Sequence, residues 1–181
     1  MTEHTKAITT TALMTAVLCI LGPLSIPIGP VPISLGTLAI YLTMYVLDTK
    51  RGCAAVILYI MAGLAGLPVF SGFSGGAGRL FGPTGGYILG YVPMAFLIGL
   101  VIDRYYKNRL LCIIAIEAAT WILYLLGTLW LAHQAGMRFG AALSAGVIPF
   151  ILPDLAKIVA AALIGPVLRV RINRALPAAG E

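Results

Sequence analysis

The sequence predicts an all-α, polytopic membrane protein: one integral membrane domain over residues 1–181, with six transmembrane helices and both termini in the cytoplasm. Three observations predict it. Apolar residues make up 60% of the chain and charged residues only 10%. Soluble domains hold about 45–50% and 25%, so a soluble fold of this size would lack the polar surface to stay dissolved. The apolar residues also fall in runs separated by charges and Gly/Pro breaks. Finally, Lys and Arg are unevenly shared between those breaks. Lys6, Lys50, Arg51, Arg104, Lys107, Arg109, Arg169, Arg171 and Arg174 fall on one side and only Arg79 and Arg138 on the other. That bias marks the first side as cytoplasmic. The net charge of +6 is thus divided among short loop clusters, the pattern of cytoplasmic loops and not of a groove for DNA. Membrane lipid is an expected partner and nucleic acid is not.

Helix 1 is expected at about 8–24. Lys6 precedes an apolar stretch as in a signal peptide, but no small-x-small cleavage site follows, so the segment reads as a retained helix. Its Ala12 and Ala16 lie four apart on one face. Small residues so spaced let another helix approach closely, either within the bundle or on a partner protein. Helices 2 and 3 are expected at about 34–48 and 52–67. Fifteen residues span roughly 22 Å, less than the hydrocarbon core of about 30 Å. Irregular backbone at membrane depth must be satisfied by protein or a watery cavity. The breaks Gly22–Ser34 and Pro68–Thr84 are therefore expected to dip into the outer half of the bundle and line a cavity. Helices 4, 5 and 6 follow at about 85–103, 109–132 and 153–171, with a short interfacial helix in "FGAALSAGV" before the last. No internal repeat is visible, which disfavours inverted-repeat transporters. Cys19, Cys53 and Cys112 sit in or beside apolar runs without a CxxC, as small buried hydrophobes do.

The last helix opens "IPFILPDLAKIVAAALIG". Pro149 and Pro153 are expected to keep the backbone non-helical until Pro153 serves as first helical residue. Asp154 then lies in the first turn, where the helix dipole favours a carboxylate, and Lys157 follows on the same face. A charge within a membrane helix costs about 2.5–3.5 kcal/mol on insertion scales. The pair is either a self-neutralised cap or a polar clamp for a ligand near the outer surface. Arg79 lies in "VFSGFSGGAGRLFGPTGGY" (Val69–Tyr87). Its fork suits a carboxylate; the alternative is a solvated loop arginine. The stretch matches neither the Walker nor the GxGxxG pattern, and an outward loop does not meet cytoplasmic ATP. Glu117 lies about 12 Å along helix 5 from Arg109, placed for a pairing partner or a polar cavity. His133 reads as interfacial. There is no HExxH and no Ser/His/Asp set, and Asp48, Asp103 and Asp154 are too dispersed for a lipid-transferase motif. Neither an enzyme nor a metal or cofactor site is expected.

"PVPISLGTLAIYL" (Pro30–Leu42), "GLAGLPVFSGFSGGAGRLFGPTGGYILGY" (Gly63–Tyr91) and "PFILPDLAK" (Pro149–Lys157) together resemble BioY, the biotin-binding S component of energy-coupling factor (ECF) transporters. The resemblance runs from about Ala12 to Leu168. It departs from the family pattern at Leu152-Pro153, where a glycine commonly precedes the aspartate, and at "VPISLG", more often "VPITLQ". It implies high-affinity biotin capture at the extracellular side of the plasma membrane, with the two long breaks closing over the ligand. It implies, as partners, a transmembrane coupling protein and two ATP-binding cassette ATPases, with the AxxxA face of helix 1 (Ala12, Ala16) docking on the coupling protein. On this resemblance Asp154 accepts from a ureido N–H of biotin, and Lys157 donates to the ureido oxygen or holds Asp154 ionised. Arg79 meets the carboxylate. Ser71, Gly75 and Gly76 bring the loop close to the ligand, and Phe70, Phe73 and Tyr87 wall its thioether ring. An S component for another vitamin and a solitary small-molecule permease are the alternatives within the same broad class.

Overall fold

In a computed structural model that describes residues 3–175, the chain folds as a helical bundle with one small β-ribbon at its edge. The first two and last six residues of the expected domain lie outside the described ones. The order is α1 (Glu3–Leu21), β1 (Ser25–Ile26), β2 (Ile33–Ser34), α2 (Gly36–Val46), α3 (Thr49–Leu64), α4 (Ala77–Leu80), α5 (Gly85–Tyr105), α6 (Arg109–Ala135) and α7 (Phe139–Gly146). A 3-10 turn, Ile148–Phe150, then leads into α8 (Ile151–Ala175).

Each of the six expected helical segments is helical over most of its length, with shifted ends. Among the described residues, four stretches are long and apolar enough to cross a membrane: Glu3–Leu21, Gly85–Tyr105, Arg109–Ala135 and Phe139–Ile172. The second helix is shorter than the expected 34–48 at both ends. Ser34 belongs to β2, paired antiparallel with Ser25, and Asp48 caps the following helix instead of ending this one. Its carboxylate accepts from the Arg51 backbone N–H at 2.8 Å and from Arg51 Nε at 2.7 Å. Burial opposes the charge on Asp48, but these donors outweigh it and hold the carboxyl below its usual value. The third helix consequently starts at Thr49, three residues before the expected 52, and stops before Gly66, whose φ of 100° no other residue adopts readily.

The last helix also starts earlier than expected. Pro149 lies in the 3-10 turn, and α8 begins at Ile151, so Pro153 is the third helical residue and not the first. The N–H groups of a first turn have no intrahelical acceptor, so proline there forfeits no bond.

α5 and α6 form the most extensive helix pair, and α2 packs on α8 and α5. Glycines set these approaches. A Cβ on Gly86 would overlap Trp130, and one on Gly127 would overlap the Tyr87 ring. Tyr41, Tyr45, Met44, Ile98, Ile102 and Ile116 are fully enclosed at the centre. The β-ribbon and the α3–α5 connection are bonded to each other, Gly72 N–H donating to Pro23 O at 3.0 Å. Tyr59 Oη donates to Val69 O at 3.1 Å, and Phe70 stacks edge-on against Tyr59 directly over Gly63. The long glycine-rich connection is thereby tied down at its start.

Candidate functional site

Residues from both breaks, together with α2, α5, α6 and α8, line a cavity that is partly open to solvent. Its polar centre is built on α8. Asp154, only 4% exposed, lies in the helix's first turn and pairs with Lys157 at 2.7 Å. The ammonium also donates to Ser34 O at 2.7 Å and to Thr37 Oγ1 at 3.2 Å. An ammonium has three N–H donors, so all three are engaged within the protein. Asp154 Oδ1 receives Lys157 and, at 3.4 Å, the Thr37 hydroxyl, while Oδ2 receives Tyr124 Oη at 2.6 Å. A carboxylate offers about four acceptor positions; Oδ2 therefore keeps one for a further donor. The site joins a buried anion with spare acceptor capacity to a cation that is already saturated.

Arg79 (α4) lines the same cavity. Among the described residues no hydrogen bond or ion pair engages its guanidinium. Ser71, Phe70 and Tyr87 line the cavity too. Tyr87 donates its hydroxyl to Gly146 O at 3.0 Å, which fixes the ring. Phe73, Gly75 and Gly76 are not brought to the cavity. Phe73 is 64% exposed. Gly76 spends its N–H on Gly63 O at 2.7 Å, and a Cβ on Gly75 would overlap the Leu67 carbonyl. Their glycine character serves the loop's own path. Ala12 and Ala16 both lie on the exposed face of α1. Glu117 accepts from Trp121 Nε1 at 2.9 Å on its own helix and does not line the cavity, and His133 is exposed in the last turn of α6.

Sequence reasoning missed Tyr124, Thr37, Thr84 and Tyr91, all of which line the cavity. Thr84 apart, the signal was a four-residue spacing of hydroxyl-bearing side chains on apolar helices: Thr37, Tyr41 and Tyr45; Tyr87 and Tyr91; Thr120, Tyr124 and Thr128. All are buried. Such a stripe in a lipid-soluble helix faces protein or a cavity. Tyr124→Phe removes the donor to Asp154 Oδ2 while keeping the ring. A hydrogen bond to a charged group is worth about 1.5–3 kcal/mol, so binding of a ligand that needs Asp154 is expected to weaken at least tenfold, measured by calorimetric titration. An unchanged affinity would remove Tyr124 from the site.

The model of the BioY family matches residues 1–175. A "Biotin transporter BioY" of Thermotoga maritima is 41% identical over 153 residues, 84% of this chain and 89% of that protein. A "Probable biotin transporter BioY" of Pyrococcus horikoshii is 36% identical over 160 residues, 88% of this chain and 93% of that protein. Among solved structures, the S-component for biotin from an ECF-type ABC transporter superposes with a TM-score of 0.86 at 32% identity, over 94% of this chain and 95% of that one. These relatives are transport proteins and not enzymes. With the match extending over nearly its whole length, the chain belongs to the BioY family.

Proposed function

We propose that this protein captures biotin at the extracellular side of the plasma membrane, as the substrate-binding subunit of an ECF-type vitamin transporter. Uptake is driven by a transmembrane coupling protein and two ATP-binding cassette ATPases, since the chain carries no nucleotide motif of its own. The observation that carries this reading is the enclosed Asp154–Lys157 pair at the centre of the cavity, in a chain whose relatives are named biotin transporters. The pair has a specific use with this ligand. Asp154 accepts a ureido N–H through the free position on Oδ2. Lys157, its donors saturated, holds Asp154 in position and does not itself reach the ureido oxygen. Arg79 takes the carboxylate, and Phe70 and Tyr87 wall the thioether ring. No cofactor is required.

In this reading the chain is a single multi-pass domain with six spans, α2 and α3 being the short ones beneath the cavity, and both termini cytoplasmic. The nine-to-two Lys/Arg asymmetry supports that orientation. The exposed Ala12 and Ala16 face of α1 supports docking on the coupling protein. Calorimetric titration of the purified protein with biotin, thiamine and riboflavin tests the function. Sub-micromolar binding of biotin alone is expected, and no binding of biotin overturns the reading.

A further inference from the structure

Thr84 stands immediately before α5 and is 7% exposed. Threonine at that position ordinarily caps the helix with its hydroxyl, yet this side chain makes no capping bond. Among the described residues its buried Oγ1 has no hydrogen-bond partner. A buried hydroxyl left unpaired is costly and calls for an explanation. The residue also lines the central cavity, as does Arg79. Its backbone is fixed, because Thr84 O accepts from Tyr87 N at 3.1 Å and from Ile88 N at 3.4 Å. A Cβ on the next residue, Gly85, would overlap the Leu80 carbonyl.

A residue of the cavity lining therefore carries an unspent, buried hydroxyl at the start of a 21-residue helix, where the backbone dipole favours an anion. An unpaired guanidinium lies on the same lining. The remaining ionic groups of the lining are Asp154 and Lys157, and the cation there is saturated. An acidic end of a ligand is repelled by Asp154 and attracted by Arg79, and Thr84 belongs to the same lining. We propose that Thr84 is a specificity residue for the acid group of the ligand, its hydroxyl donating to the carboxylate beside Arg79. This rests on the biotin reading and adds to it a residue that distinguishes the free acid from its neutral derivatives.

The test titrates wild type, Thr84→Val, Thr84→Ala and Thr84→Ser with biotin and with biotin amide, whose terminal group is uncharged. The quantity read is the ratio of the two Kd values within each protein, which a general loss of packing does not move. Wild type and Thr84→Ser are expected to prefer the acid. Thr84→Val, and Thr84→Ala should the valine variant not fold, are expected to lose about 10- to 100-fold of that preference, the range of a hydrogen bond to a charged group. A wild-type ratio retained in either hydroxyl-free variant overturns the assignment, even if both ligands weaken together. Failure of wild type to bind biotin at all overturns the functional reading, and the assignment with it.

Discussion

Lys157→Ala is expected to abolish measurable biotin binding and to destabilise the protein more than any other single change in the cavity. The ammonium is the strongest neutralising contact of Asp154, at 2.7 Å, and both side chains are largely enclosed, 10% and 6% exposed. Removing one partner of such a pair leaves an uncompensated buried charge, at about 3–5 kcal/mol. Tyr124 and Thr37 remain as donors to the carboxylate, but neither carries charge. Asp154→Asn is expected to be milder in stability, because Lys157 keeps Ser34 O and Thr37 Oγ1. It is equally severe in binding, since an amide is a poorer acceptor for a ureido N–H. The double variant Asp154→Asn/Lys157→Ala removes both charges together and is expected to unfold at a higher temperature than Lys157→Ala alone. Thermal unfolding in detergent with calorimetric titration of biotin reads both effects. Wild-type affinity in the two single variants would end the clamp proposal, and additive stability losses in the double variant would show that the pair is not coupled.

Gly127→Val is expected to have the second largest effect, and its origin is purely steric. Tyr87 is held between two glycines. A Cβ on Gly127 would overlap its ring, and one on Gly146 would overlap its hydroxyl. The hydroxyl is bonded to the Gly146 carbonyl, so the ring cannot swing away from α6 without losing that bond. Tyr87 also lines the cavity. Overpacking costs about 1–3 kcal/mol in an adaptable core; here the displaced ring either separates α5 from α6 or enters the cavity. Loss of stability together with loss of biotin affinity is the expected result, with Gly140→Ala, which has open space around it, as the neutral control. Wild-type binding in Gly127→Val would mean that the Tyr87 position does not shape the site.

Much of the bundle was legible because long apolar runs bounded by charges and Gly/Pro breaks are local signals, whereas the cap at Asp48 went unread and the boundary between the second and third helices was misplaced with it. The β-ribbon was not legible. Its strands are two residues each and pair Ile26 with Ile33 across a proline-rich turn, too short for any alternation to show. The start of α2 was misplaced for the same reason, since Ser34 is claimed by a partner nine residues earlier. In the site, Asp154, Lys157 and Arg79 stood out as charges where charge is expensive. Tyr124, Thr37 and Thr84 did not, because one hydroxyl barely alters the hydrophobicity of a run. What matters about Thr84 is the bond it does not make, which only coordinates reveal. Gly75 and Gly76 misled in the opposite direction: glycines needed for a loop's own path look the same in sequence as glycines that admit a ligand.

The bond from Gly72 to Pro23 has a mechanical consequence. Pro23 leads into β1, β1 holds β2, and Ser34 of β2 accepts from Lys157. Lifting the glycine-rich connection therefore pulls on the ribbon and, through it, on the ammonium that neutralises Asp154. The two breaks and the Asp154–Lys157 pair therefore form one mechanically connected unit, and a substitution in either break is felt at the pair.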